Sequence, residues 1–308
     1  MGLGVLVLLA VAGPAIPLMA KQFDDHQLVM LGEYHRYAQL HAFLEQLVRD
    51  PRFICRADDV VIEFGNSRMQ PIADRWASGA PVSEAELESM YRETIVPLTW
   101  NSPVYRQFYE AIREINQEHL CPKPLRLVLA DAPIDWSKIH SGKELIPYGE
   151  RDLNYFNSVE REVISRHRKA FMLSGLAHAV KAGEDEPTTA GMIEKKYPGI
   201  LFTIAPMASD ELPPPSLEVV RGSHLENSTF NWYWESQPER KWPPMAQVVD
   251  AVLYLGKERT FTYPSPKIYL EPAYLAELRR RAALIKEYSG QDFITAIDAL
   301  VKEARAMK

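Results

Sequence analysis

The segment that most restricts the fold runs from residue 27 to residue 48, where an apolar strand passes straight into an amphipathic helix. Residues 28–31 (Leu, Val, Met, Leu) are a short continuous apolar run, the pattern of a strand buried on both faces. The period then changes. Leu40, Phe43, Leu44, Leu47 and Val48 follow the i, i+3, i+4, i+7, i+8 spacing of a helix with one buried face. Between the two stand Gly32, Glu33, Tyr34 and His35. A carboxylate and an imidazole therefore leave a buried strand at the start of a helix. In open α/β sheets ligands bind beyond the carboxyl ends of the strands. Alone, the turn has two readings: Glu33 caps the helix and His35 is a satisfied interfacial histidine, or both belong to a site.

The same alternation recurs along the chain. Residues 59–63 read as a second strand ending in Glu63, and residues 125–130 as a third followed by Asp131. Residues 170–174 read as a fourth, followed by Gly175, Leu176, Ala177 and His178, and residues 200–205 as a fifth. Helices are expected at 68–76, after the Ser83/Glu86 capping box, after Ser102-Pro103, at 152–168 and at 189–197. Residues 137–150 read as polar loop. Residues 207–247, with Pro213, Pro214, Pro215, Trp232, Tyr233, Trp234 and Trp242, interrupt the alternation. So long a segment without periodicity reads as a functional lid over the site, more mobile than the core. Strand character returns at 248–255, and two closing helices are expected within 272–307, with the Arg279, Arg280, Arg281 run as a solvated face. Strands alternating with helices give an α/β fold: a mainly parallel sheet with helices on both faces, forming one domain over residues 21–308.

The 308 residues, 46% hydrophobic and 25% charged, are an ordinary globular composition. A net charge of −6 gives no global attraction to nucleic acid or anionic membrane. Residues 1–20 stand apart: the stretch from Gly4 to Gly13 is almost all Val, Leu and Ala, then come Pro14, Pro17 and Ala20. That length suits a signal-peptide core rather than a span of roughly 20 residues, although no basic residue precedes Lys21. The expectation is a periplasmic or secreted protein whose mature chain begins near Lys21 and has no stable membrane span. Cys55 and Cys121 have no metal-ligand spacing; they form one disulfide or remain two buried thiols.

Four successive strands thus place Glu33 with His35, Glu63, Asp131, and His178 just past their carboxyl ends. In a parallel sheet these ends gather at one edge, which favours a site over four unrelated caps. Two histidines and two or three carboxylates allow two chemistries. One is a divalent metal site, Zn or Mn, with His35, His178 and Glu63 as ligands. The other is metal-free activation of water by a histidine paired with a carboxylate. His-Glu-x-x-His, Gly-x-Ser-x-Gly, P-loop and Gly-x-Gly-x-x-Gly motifs are absent from the sequence, which disfavours metalloprotease, serine-hydrolase and common nucleotide-binding readings.

At this point the chain resembles a superfamily. Leu31-Gly32-Glu33-Tyr34-His35 with His41, then Ile62-Glu63-Phe64-Gly65-Asn66, then Gly175-Leu176-Ala177-His178, is similar to the group that unites erythromycin-esterase-like, haem-uptake ChaN-like and Tiki/TraB-like proteins. Residues 250–256 also resemble the closing strand of the erythromycin-esterase-like branch. The resemblance implies an α/β fold with the site at the paired Gly-x-x-His turns, and carries over directly to Glu33, His35, Glu63 and His178. Asp131 and His41 rest on strand ends and spacing. The activities implied are ester hydrolysis, metal-dependent peptide cleavage, or haem binding without catalysis. The leading reading is a hydrolase of an ester or amide bond in a small-molecule or peptide substrate. The alternative is an exported haem or metal carrier, with Tyr34 or His41 as cofactor-binding residues. The milder readings are that His41 packs beside Leu40, Tyr34 is a packing residue, Asn66 and Gln70 start a helix, Asp135 is a turn residue and His224 a loop histidine.

Overall fold

The computed structural model describes residues 12–182, 187–230 and 243–307. Among them the strands are β1 (Ala12–Pro14), β2 (Leu28–Glu33), β3 (Asp59–Asn66), β4 (Arg126–Asp131), β5 (Ala170–Gly175), β6 (Leu201–Met207), β7 (Ser216–Val219) and β8 (Ala251–Tyr254). They form one sheet in the order β1-β7-β8-β6-β2-β5-β3-β4. From β8 to β4 every pairing is parallel; β7 runs antiparallel to both β8 and β1. The expected α/β fold with a mainly parallel sheet is therefore present. Every residue of β2, β3 and β5 is buried, so both faces of the sheet are covered. This is why these strands read as unbroken apolar runs rather than as alternation.

Helix chemistry follows the sequence closely. The Ala38–Arg49 helix buries Leu40, Phe43, Leu44, Leu47 and Val48. Ser83 accepts from the Glu86 amide, and Glu86 reaches back to Ser83, opening the Glu84–Arg92 helix. Ser102 precedes the Pro103–Gln117 helix, but its hydroxyl donates to the Thr262 carbonyl (2.7 Å) instead of capping. That bond fastens the loop after β8 to the helix. The segment expected to be polar loop, 137–150, contains short helical turns, and its Leu145 packs in an apolar cluster with Ile134, Trp136, Ile139, Leu284 and Ile285.

Four further features bear on function. First, residues 207–247 are not wholly irregular: β7 lies inside them as a sheet strand, and Leu225 and Phe230 are buried. Trp232, Tyr233, Trp234 and Trp242, the aromatic part of the expected lid, lie outside the described residues. Second, residues 12–22, most of them within the expected leader, are placed against the sheet. β1 pairs with β7, and the Ala15–Gln22 helix buries Ala15, Met19 and Ala20. Third, Arg280 and Arg281 are not a solvated face. Arg280 donates to the Ile139 and Trp136 carbonyls and Arg281 to the Arg92 carbonyl, each 2.8–2.9 Å, so the Pro272–Ser289 helix is tied to the segment after β4 and to the end of the Glu84–Arg92 helix. Fourth, Cys55 and Cys121 form a disulfide, with Cα atoms 5.2 Å apart, across 66 residues of sequence. No described helix is long and apolar enough to cross a membrane.

Candidate active site

The two Gly-x-x-His turns are built against each other. β2 and β5 are parallel neighbours with Gly32 opposite Ser174 and Glu33 opposite Gly175. A Cβ on Gly32 would stand 3.0 Å from the Leu176 Cα and 2.5 Å from its Cδ1. A Cβ on Gly175 would stand 2.9 Å from His35 Cε1 and 3.2 Å from Glu63 Oε1. Each glycine is thus small because the opposite turn fills the space. β3 supplies the third wall. Its register against β4 shifts between Ile62 and Asn66, the kind of irregularity that re-aims side chains beside a site. Glu63 lies in that stretch and accepts from the Gly175 amide at 2.7 Å.

Glu33 is fully buried and is the hub of one half of the site. Its Oε1 accepts from Tyr105 (2.8 Å) and meets His35 Nδ1 at 2.7 Å. Its Oε2 lies 3.1 Å from His41 Nε2, an ion-pair approach off the line of a well-formed hydrogen bond. Burial pushes this carboxyl up, but the two imidazoles outweigh it and hold the pKa at about 2, against an ordinary 4.5. His35 shows the reciprocal effect. Burial disfavours its cation, yet the Glu33 bond and the charges of Glu63 and Glu33 raise its pKa above 6.5. The ring is packed edge-on to Trp100, centroids 4.8 Å apart, and its side chain keeps 33% exposure. Nδ1 is engaged by carboxylates; Nε2 is the nitrogen left for chemistry.

Glu63 joins the two halves. His35 Nδ1 is 3.5 Å from its Oε1, and His178 Nε2 is 3.5 Å from its Oε2. The two histidines therefore flank one carboxylate. His178 Nδ1 bonds Asp152 Oδ1 at 2.9 Å, and its ring meets Tyr155 edge-on at 4.9 Å. Asp152 also accepts from the Thr189 amide (2.6 Å) and hydroxyl (2.7 Å). Burial raises its pKa, but His178 and Thr189 more than offset that and leave it below the ordinary carboxylate value. Asp131, at the end of β4, is one step further out. It accepts from the Ile95 amide at 3.3 Å and faces Arg151 Nε at 3.9 Å. Burial raises its pKa, with Arg151 opposing.

Arg151 is a site residue that sequence reasoning passed over. It sits at the start of the Arg151–Glu162 helix, bonds the Tyr155 hydroxyl, and places Nη2 3.7 Å from Glu63 Oε2. Arg151 Nε, Glu63 Oε2 and Asp131 Oδ1 are all buried without a hydrogen-bond partner. Three unmet polar atoms so close together are unusual in a folded interior. They can serve a substrate oxygen, a water or an ion. Asp152, Tyr105 and Trp100 were missed as well. Only Asp152, beside the expected helix start at 152, carried even a weak local signal.

The remaining candidates divide cleanly. His41 is buried, as the packing reading expects, and also contacts Glu33, so it supports the hub rather than a separate cofactor. Tyr34 lies beneath the Arg259 guanidinium (4.7 Å to the ring centroid) and edge-on to Tyr37 (6.0 Å). It packs at the wall of the site. Among the described residues, three ligand atoms within 4.8 Å of one another come from Glu33, His35 and Glu63; Glu33 takes the place expected for His178 in that set. Asn66 caps the turn that follows it and bonds the Glu93 and Ile134 carbonyls. Gln70 bonds Leu127 O and Leu129 N along the edge of β4. Asp135 caps a short turn and pairs with Arg68. His224 is exposed near Glu218.

No family model and no curated protein matches the sequence. Among solved structures, the chain is similar to a succinoglycan biosynthesis protein (10% identity, 85% of this chain and 100% of that one, TM-score 0.52). It is also similar to a mutant of the erythromycin esterase EreC in its open conformation (11% identity, 80% and 94%, TM-score 0.52). A haem-bound ChaN from Campylobacter jejuni overlaps more loosely (11% identity, 76% and 89%, TM-score 0.43), too loosely to argue from. The fold suggested by the paired Gly-x-x-His turns is thus the fold of solved structures that include an erythromycin esterase, and at these identities the likeness speaks for the fold alone.

Proposed function

We propose that the protein hydrolyses an ester or amide bond, with His35 as general base for water. The observation that carries this reading is the 2.7 Å contact of His35 Nδ1 with buried, ionised Glu33. It fixes the tautomer with the proton on Nδ1 and leaves Nε2 as the acceptor, in a ring that is part exposed. A base needs that geometry, and a raised pKa strengthens it as a proton acceptor. Water would lose a proton to His35 Nε2 as its oxygen attacks the carbonyl carbon. The resulting imidazolium is stabilised by Glu33 and Glu63. When the tetrahedral adduct collapses, the departing oxygen or nitrogen takes that proton back. Arg151, beside Glu63, is the cationic group available to the developing oxyanion, and His178 Nε2 faces the same carboxylate. Each histidine carries its own carboxylate, Glu33 for His35 and Asp152 for His178. That arrangement favours water activation by His35 over two imidazoles sharing one ion.

A metal-assisted variant has one supporting observation, the Glu33, His35 and Glu63 group. Those three residues would hold a divalent cation, which when bound would acidify a water. The substrate is a small molecule or peptide. The disulfide supports a location outside the reducing cytosol. The experiment is turnover of a panel of p-nitrophenyl esters and anilides by the purified chain, with and without a chelator, and by His35→Asn. Loss of turnover in the variant with retained folding supports the base role. Loss on chelation, restored by one divalent metal, selects the metal-assisted form.

A further inference from the structure

Beside the proposed catalytic histidine lies a cavity of about 680 Å³ that the site chemistry does not use. Arg36, Leu98, Tyr263, Tyr269, Phe293 and Leu300 are among its walls. Its walls adjoin the site along the chain: Arg36 follows His35, and Leu98 and Thr99 lead into Trp100, whose ring packs on His35. Its volume and aromatic lining suit a small organic ligand.

Arg36 is the unusual member. Most arginines described pair with an acid, including Arg49, Arg68, Arg106, Arg126, Arg151 and Arg168. Arg36 has no acid within ion-pair distance among the described residues. Its guanidinium lies over the Tyr263 ring at 4.8 Å, and its Nε is buried without a hydrogen-bond partner. Its backbone is left-handed (φ 68°), which costs a non-glycine residue energy, and so is that of Leu98 across the cavity (φ 69°). The backbone is fixed there from both sides: the Arg36 amide donates to the Tyr105 hydroxyl at 3.1 Å, and its carbonyl accepts from Thr262 at 2.9 Å. Tyr105 also holds Glu33. The hub of the proposed catalytic base and the orientation of Arg36 therefore share one tyrosine. A guanidinium held over an aromatic ring, with a donor unmet, is a receptor for an oxyanion such as a carboxylate or phosphate. Glu303 lines the cavity too, so the anion belongs at the Arg36 end.

We propose that this cavity is the substrate pocket of the site and that Arg36 selects ligands with an apolar body and an anionic head, carboxylate or phosphate. The link to turnover rests on the hydrolase reading; the binding itself does not. Titration calorimetry on the full chain with 4-phenylbutyrate, phenyl phosphate and the neutral 4-phenylbutyramide tests it. Either anion should bind roughly tenfold or more tighter than the amide, and the two anions tell a carboxylate site from a phosphate site. Arg36→Gln should remove that preference, and Arg36→Lys should restore part of it. Ala299→Trp, which fills the cavity from the exposed side of the Ile294–Ala306 helix, should weaken all three ligands. Equal binding of anion and amide, no binding by the unaltered chain, or an unchanged preference in Arg36→Gln overturns the proposal. If neutral esters turn over while no anion binds, the pocket assignment fails and the hydrolase reading stands. If the anions bind as described and no ester is cleaved, the hydrolase reading fails and the pocket stands.

Discussion

Replacing Glu33 by Gln isolates the electrostatic core of this account. The amide keeps the shape and can still accept from Tyr105, but it loses the charge that faces His35 and His41. In the folded chain Glu33 titrates at about 2 instead of 4.5. A gap of that size corresponds to about 3 kcal/mol, at 1.36 kcal/mol per unit. The sign follows from linkage. A depressed carboxyl stabilises the fold fully above its unfolded value near 4.5, and that stabilisation is lost as pH falls through its folded value near 2. Glu33→Gln lacks it at every pH. Urea unfolding of both proteins should therefore show a stability gap that is constant from pH 5 to 6 and narrows by about 3 kcal/mol towards pH 2. The same substitution acts on His35 in the opposite sense. Its raised pKa stabilises the fold below 6.5 and loses that effect as pH rises through the folded value. In Glu33→Gln the His35 ring should titrate lower, as read by NMR of the labelled imidazole. A gap that does not change with pH, together with an unshifted His35, would refute the hub.

Three other perturbations give separate outcomes. Gly175→Ala, whose backbone is compatible with alanine (φ −52°), should push His35 aside by a few tenths of an ångström; folding should cost about 1–3 kcal/mol, while kcat/KM falls by roughly tenfold or more, compared by thermal melts and ester kinetics. Cys55→Ser with Cys121→Ser opens a loop of 66 residues and should lower stability by about 4 kcal/mol on the chain-entropy estimate, measured by urea unfolding. A chain starting at Lys21 loses β1 and most of the Ala15–Gln22 helix with buried Met19; it should melt lower than one starting at Ala12, and equal melting points would return those residues to the role of a dispensable leader.

The convergence of the candidate residues was legible because a parallel sheet turns local pattern into long-range geometry. Once 28–31, 59–63, 125–130 and 170–174 read as buried strands, Glu33, Glu63, Asp131 and His178 had to gather at one edge. The pairing of Gly32 and Gly175 with the opposite turns follows from β2 and β5 being neighbours, which sequence does not state. Strand order, the β7 hairpin-like return and the disulfide were equally out of reach, since each depends on partners distant in the chain. The same holds for the residues that tune the chemistry. Tyr105 reaches Glu33 across 72 positions and Asp152 reaches His178 across 26. Arg151 looked like an ordinary charge at a helix start, and only its approach to Glu63 gives it a role. Arg280 and Arg281 looked solvated because a charge run carries no sign of the carbonyls it will meet.

The most direct measurement is the pH dependence of kcat/KM for the best ester or anilide of the panel, for the unaltered chain and for His35→Asn. His35 must be neutral to accept a proton, and its pKa lies above 6.5. The rate should therefore rise with pH along a limb whose midpoint exceeds 6.5, and turnover should be lost in His35→Asn while its melting curve stays close to that of the parent. A midpoint below 6.5, turnover retained in the variant, or no cleavage of any substrate by the unaltered chain would contradict the account.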